Sequence, residues 1–144
     1  MNSFVVTLLL AVFAQSNPSQ TKPTEQPCTG PMVVGTWELV KAAGEATPGG
    51  GSTTLKHVTP THFFVLSADA TGLASYGHGG PYTVSAGTYT ESIAHGFGPP
   101  FSQLRGMKVS FQCSIEGDVW HSIGEIGGQT FDERWRRVRP VTGK

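Results

Sequence analysis

Charge is what this sequence has least of. Asp, Glu, Lys and Arg make up only 14% of the 144 residues, against roughly 25% in an ordinary soluble domain. The 10 basic and 10 acidic side chains cancel to a formal net charge of zero. Nucleic acid or a polybasic membrane contact as the main partner needs an excess of one sign, so neither is expected. Cysteine is scarce as well: the 2 present are too sparse a set for a zinc site. No apolar run approaches the roughly 20 residues that cross a bilayer as a helix, so no integral membrane span is expected. Motifs that would name a reaction are missing too. There is no Gly-x-Ser-x-Gly nucleophile elbow, and Gly77-His78-Gly79-Gly80 lacks the Lys-Ser/Thr and following helix of a phosphate loop. Long helices are disfavoured by 19 Gly and 10 Pro, a fifth of the chain. What remains, with 38% hydrophobic residues, is enough for the core of one domain built from short strands and turns.

The longest apolar run, residues 4–14 (FVVTLLLAVFA), has the length of the h-region of a secretory signal, and Val12-Phe13-Ala14 offers a small residue before a cut at Gln15. No basic side chain precedes it, and a buried N-terminal strand is the alternative reading. Cys28 lies too far from the run to form a lipobox. Residues 1–14 are read as a signal peptide and 15–34, rich in Ser, Thr, Pro and Gln, as a flexible leader. Residues 35–139 are the folded domain and 140–144 a tail. This order implies a secreted or periplasmic protein. There Cys28 and Cys113 can pair as a disulfide tying the leader to the domain wall, or Cys113 can stay a buried free thiol.

From Gly35 onward, β-type runs at 36–43, 54–59, 62–68, 73–84, 88–94, 107–116, 119–126 and 129–138 are punctuated by Gly, Pro and Asp. The longest irregular piece, 95–106, carries Phe97, Pro99, Pro100 and Phe101 and one helical turn at 102–105; it reads as a lid or as a plug. Eight consecutive strands with short connections predict an all-β, eight-stranded antiparallel up-and-down barrel. Closure removes both sheet edges and leaves an interior that side chains fill or one small ligand occupies. A sandwich of two four-stranded sheets is the alternative.

Alternation places Met107, Val109, Phe111, Cys113 and Ile115 on one face, with Tyr89, Glu91 and Ile93, and Phe131, Glu133, Trp135 and Arg137, on the equivalent faces of their strands. Two faces that look inward by their aromatics therefore each carry a carboxylate, Glu91 and Glu133. Trp37, Phe64, Phe111, Trp120, Phe131 and Trp135 are expected in the wall or floor.

Gly35-Thr36-Trp37 is similar to the Gly-x-Trp signature that opens the first strand of lipocalins and related calycin barrels. The chain more closely resembles bacterial secreted lipocalin-like domains. It shares with them Thr59 to Phe63 (Thr-Pro-Thr-His-Phe), Gly79 to Tyr82 (Gly-Gly-x-Tyr), Tyr89 to Glu91 (Tyr-Thr-Glu), Glu116 to Trp120 (Glu-Gly-Asp-x-Trp) and Glu133 to Arg137 (Glu-x-Trp-x-Arg). The likeness spans about Gly35 to Val138 and implies a lipocalin-like barrel in an extracytoplasmic setting, with no established reaction. It also implies that Trp37 closes the barrel floor under a basic residue of the last strand, Arg137 or Arg139. Pro81 and the small Cys113 depart from the pattern.

The sharpest constellation is His62 with Glu91 and Glu133, with Tyr82, Tyr89, His121 and Trp135 as neighbours. Two carboxyls in an apolar cavity repel each other and resist ionisation, and a histidine between them would favour their charged forms and shuttle a proton. The same atoms suit a pocket in which a few polar groups orient a small, mainly apolar ligand, which is the expected function. The alternatives are a cofactor-free acid/base isomerase, lyase or cyclase using the same residues, a self-satisfied buried network, and a protein-binding module using the loops. No cofactor is implied. His57, His62, His95 and His121 lack metal-ligand spacing, so no metal is expected. His78, among glycines, is expected to be solvated, and Arg134, Arg136 and Arg139 to form an outer face.

Overall fold

A computed structural model describes residues 25–41 and 51–140. The signal expected at 1–14, the leader up to residue 24, the end of the first expected strand with the loop up to residue 50, and the tail beyond 140 lie outside the described residues. The elements are β1 (Gln26–Pro27), α1 (Gly30–Val33), β2 (Gly35–Lys41), β3 (Thr53–Val58), β4 (His62–Ala68), β5 (Ala74–Ser85), β6 (Thr88–Ser92), β7 (His95–Phe97), α2 (Phe101–Leu104), β8 (Lys108–Glu116), β9 (Val119–Ile126) and β10 (Gln129–Arg137).

Pairing runs β2-β3-β4-β5-β6-β8-β9-β10 and returns to β2, every pair antiparallel. The sheet is thus a closed eight-stranded up-and-down barrel, and the sandwich alternative falls because the β2–β10 pairing leaves no open edge between two sheets. The turns explain the simple order. Ile126 pairs with Gln129 across Gly127 and Gly128, both at positive φ, the geometry of a two-residue hairpin whose twist matches its strands. Along β8, Val109, Phe111, Cys113 and Ile115 are buried while Lys108, Ser110 and Gln112 face solvent.

The expected strand at 88–94 is interrupted. Pairing with β5 passes from Tyr82–Glu91 to Gly79–His95, so the β6–β7 side carries one extra residue, a bulge at Ile93-Ala94. The close approach that results needs a glycine: a Cβ on Gly80 would collide with the Ser92 carbonyl oxygen. β7 therefore occupies the start of the segment expected to be irregular, and the helical turn follows as α2.

The second half of the expected leader is not free chain. Cys28 and Val33 are buried. The Cys28 N–H donates to the Cys113 carbonyl at 3.0 Å, and a Cys28–Cys113 disulfide joins Cα atoms 5.5 Å apart. α1 then covers one end of the barrel. Trp37 is wholly buried there and its Nε1 donates to the Val33 carbonyl at 2.8 Å. The Arg137 guanidinium lies 4.0 Å from the Trp37 ring and donates to the Val34 and Met32 carbonyls at 2.8 and 2.7 Å. Arg139 instead pairs with Asp118 at the surface. Trp120 packs edge-on against both Trp37 and Tyr89, completing an aromatic floor.

Arg137 thus joins α1, the first barrel strand and the last. Arg137→Ala should lower the unfolding free energy by about 2–3 kcal/mol, from a lost cation–π contact and two unpaired carbonyls. Arg139→Ala should change it by less than about 0.5 kcal/mol, since an exposed ion pair contributes little. Urea denaturation of the two variants checks the difference.

Candidate functional site

Above the aromatic floor the barrel interior is open, a cavity of about 350 Å³. Its walls are apolar: Leu39 from β2, Val65 from β4, Ile93 beyond β6, Val109 and Phe111 from β8, Ile126 from β9 and Phe131 from β10. Pro100 and Leu104 of the α2 region also line it, so the 95–106 segment contributes part of the cavity's covering. Five ionisable side chains share this space, Lys56, Tyr76, His78, Glu91 and Glu133.

Lys56 and Glu91 form its polar centre. Lys56 comes from β3, where Thr54, Lys56 and Val58 share the inner face, and Glu91 from β6 between Tyr89 and Ile93. Both are buried, and Lys56 Nζ donates to Glu91 Oε1 at 2.9 Å. Aromatic rings surround the ammonium: Trp135 at 4.5 Å, Trp120 at 5.0 Å, Tyr89 at 5.4 Å and Phe111 at 5.7 Å from Nζ to ring centre. On the other carboxylate oxygen, Glu91 Oε2, His78 Nε2 stands at 3.8 Å, and His78 Nδ1 is 2.6 Å from the Tyr76 hydroxyl. Glu133 Oε2 accepts from Trp135 Nε1 at 3.0 Å.

The two carboxyls are driven apart electrically. Burial pushes Glu91 up, but the Lys56 charge, its hydrogen bond and the nearby His78 imidazole outweigh it, and the carboxyl lies below its ordinary value. At Glu133 burial wins; Lys56 offsets it only partly and the Glu91 charge adds to it, so this carboxyl is raised. Burial and Glu91 push the Tyr76 phenol up to about 12. Burial and the same carboxylate hold Tyr89 well above the phenol range, and its hydroxyl has no hydrogen-bond partner among the described residues. One wall of the cavity therefore carries a carboxylate paired with Lys56 and held below its ordinary value, and another a carboxyl raised above it.

Of the residues singled out in the sequence, Glu91, Glu133 and Trp135 line this cavity. Tyr89 lies beneath it in the floor. Tyr82 is stacked on Tyr89 with ring centres 5.2 Å apart and donates its hydroxyl to the Thr59 carbonyl; burial raises its phenol, and it does not line the cavity. His62 and His121 are not brought to the carboxylates. β4 turns Phe63, Val65 and Ser67 inward, which puts His62 outside, exposed, with its ring on the Thr61 hydroxyl. Phe64 goes outside with it, against expectation, and is 36% exposed. On β9 the inward residues are Trp120 and Ser122, so His121 faces out between Asp132 (2.7 Å) and Glu25 (3.5 Å). His78, expected in solvent, is the histidine that reaches Glu91. Among the described residues no three His, Cys, Asp or Glu side chains converge as metal ligands.

Lys56 and Tyr76 have no place in the sequence-based site, and His78 is expected in solvent there. Lys56 had a signal, since Val58 two residues on shares its face, but Leu55 on the opposite parity obscures it. His78 had none, because glycines on both sides erase the alternation.

No family model and no curated protein matches the chain. Among solved structures it is similar to a redesigned β-barrel, at 17% identity over 77% of this chain and 96% of that one, with a TM-score of 0.49.

The ion pair sets a sharp mutational expectation. Lys56→Met alone should cost about 3–5 kcal/mol at pH 7, because it leaves Glu91 buried and uncompensated; adding Glu91→Leu should restore most of the loss. The sign with pH follows from Glu91's depressed value. Its contribution is present in the parent above the ordinary carboxylate range and is lost as pH falls through the folded value. The Lys56→Met deficit should therefore shrink on acidification, which urea titrations at pH 7 and pH 4 measure.

Proposed function

We propose that this barrel binds one small, mainly apolar molecule carrying a polar group, in an extracytoplasmic compartment, as a lipocalin-like carrier or sensor. The observation that carries the reading is the apolar cavity ending on the Lys56–Glu91 pair and Glu133. An interior of about 350 Å³ is at the small end of ligand sites. At protein-like packing density it accommodates about 260 Å³ of molecule, the size of a compact ring compound or short chain. Apolar walls supply the affinity, and the polar side chains at the bottom orient one end. The Trp37–Arg137 floor matches what the lipocalin resemblance implies. The Cys28–Cys113 bridge favours an oxidising compartment, in keeping with the signal-like run at 4–14.

The acid/base reading keeps Glu91 and Glu133 and replaces His62 by His78, through the Tyr76–His78–Glu91 chain. Binding is the better-supported reading because Lys56 already engages Glu91, leaving Glu133, raised by burial, as the second cavity carboxyl. A protein-binding scaffold would have no use for an unfilled interior.

Two variants test the cavity. Val65→Phe adds its ring to empty space, so stability should hold; affinity for small apolar fluorophores or for ligand extracted from the purified protein should fall at least about tenfold. Unchanged affinity would remove the cavity from consideration. Glu133→Gln should alter ligand retention more than thermal stability. The folded state already disfavours the ionised form: Glu133's contribution is full below the ordinary carboxylate range and is lost as pH rises through its raised value. A large drop in melting temperature with unchanged binding would assign Glu133 a purely structural role.

A further inference from the structure

Resting on the ligand-binding reading, we propose that Lys56 captures its ligand covalently: an apolar aldehyde entering the cavity condenses with Lys56 Nζ to form an imine, with Glu91 as the counter-ion.

The argument begins with a mismatch in hydrogen-bond number. An ammonium has three N–H donors. Among the described residues, Lys56 finds one acceptor, Glu91 Oε1; its other surroundings are aromatic rings and the cavity it lines. A protonated imine has one N–H. Conversion would therefore match donor to acceptor while keeping the positive charge against Glu91 and among the four rings. A cation spread over C=N suits such rings and tolerates desolvation better than a compact ammonium. The hydrocarbon part of the aldehyde would pass into the apolar chamber.

Two carboxyls line the cavity with the amine, Glu91 in contact with it and Glu133 from β10. Glu91 takes a proton from the Lys56 ammonium, freeing the nitrogen lone pair. Nitrogen then attacks the carbonyl carbon as the C=O π pair moves to oxygen. That oxygen takes a proton from the Glu133 carboxyl, and Glu133 recovers one from the nitrogen, leaving a neutral carbinolamine. The proton held by Glu91 passes to the carbinolamine hydroxyl. Loss of the C–O bond releases water as the nitrogen lone pair forms C=N. Glu91 ends ionised, Glu133 protonated and Lys56 as the iminium, so the two carboxyls are unchanged and no oxidant or cofactor is consumed. A carboxyl raised by burial is suited to the donor part, and one lowered by the ammonium to the counter-ion part.

The test uses the intact chain with trans-cinnamaldehyde and, as a probe lacking the carbonyl, cinnamyl alcohol. The wild type is treated at pH 7 with equimolar aldehyde and sodium cyanoborohydride, then digested and mapped by mass spectrometry. The expected result is a reduced adduct on Lys56 at least about tenfold more abundant than on any other lysine, its formation slowed by excess alcohol. Glu133→Gln should slow trapping at saturating aldehyde at least about tenfold; binding of both probes to the wild type is read by tryptophan fluorescence. Fluorescence changes with both probes but no preference for Lys56 would overturn covalent capture and leave the cavity reading standing. No fluorescence response to either probe, and no Lys56 adduct, would overturn both. Mapping the wild type keeps the result independent of whether a Lys56 variant folds.

Discussion

Two opposite charges at the centre of an apolar barrel are tolerable only together. Removing either Lys56 or Glu91 from water costs several kcal/mol after relaxation, and the partner at 2.9 Å must offset this. The two side chains come from β3 and β6, which are separated by β4 and β5 in the ring. Meeting inside the barrel therefore requires correct register in three successive strand pairs, since a one-residue slip would turn one charge outward. The pair is consequently a constraint on barrel closure as well as a feature of the cavity.

That constraint organises its surroundings. Of the four rings around Nζ, Trp120 and Tyr89 belong to the floor that Trp37 completes, while Phe111 and Trp135 also face the chamber. Trp135 has two parts to play, presenting its ring to the ammonium and its N–H to Glu133. It thereby couples the two carboxyl environments without joining them directly. The opposite shifts of Glu91 and Glu133 follow from this arrangement. Burial raises both, but Lys56 donates to Glu91 and outweighs it there, while at Glu133 burial and the Glu91 charge prevail over the more distant Lys56 and a neutral indole N–H. Two glutamates of identical intrinsic acidity become chemically distinct through their different neighbours.

Much of this architecture was legible in the chain. Turn signals and eight apolar runs specified the ring, and clean alternation at 107–116, 88–93 and 129–138 placed Glu91 and Glu133 on inner faces. The failures are local and have a common form. At Phe63-Phe64 two adjacent aromatics satisfy either face, so the pattern could not say that Phe63 enters and His62 and Phe64 leave. At 77–80 glycines leave His78 without neighbours to define its direction. At 53–58 the inward residue is a lysine, opposite to its usual preference, and only the distant Glu91 makes that direction affordable. His121 is different: Trp120 and Ser122 flank it, and strict alternation already places it outside once Trp120 is taken as core. Sequence periodicity reports the average cost of exposure, whereas Lys56 is buried because of one partner thirty-five positions away.

The balance of charge also narrows the kind of polar group the chamber can receive. Lys56 and Glu91 sum to zero, and burial raises Glu133, which works against its ionised form. A ligand carboxylate would approach Lys56 but would share that single cation with Glu91, adding a second anion to a confined, weakly polarisable space. A ligand ammonium would meet Glu91 only by competing with Lys56. A neutral carbonyl has neither difficulty: its oxygen can accept from the donor directions of Lys56 that find no acceptor among the described residues, and it brings no net charge. Covalent capture follows from the same arithmetic. It turns a three-donor cation beside one acceptor into a one-donor cation beside one acceptor, while preserving the ion pair on which the barrel's closure depends.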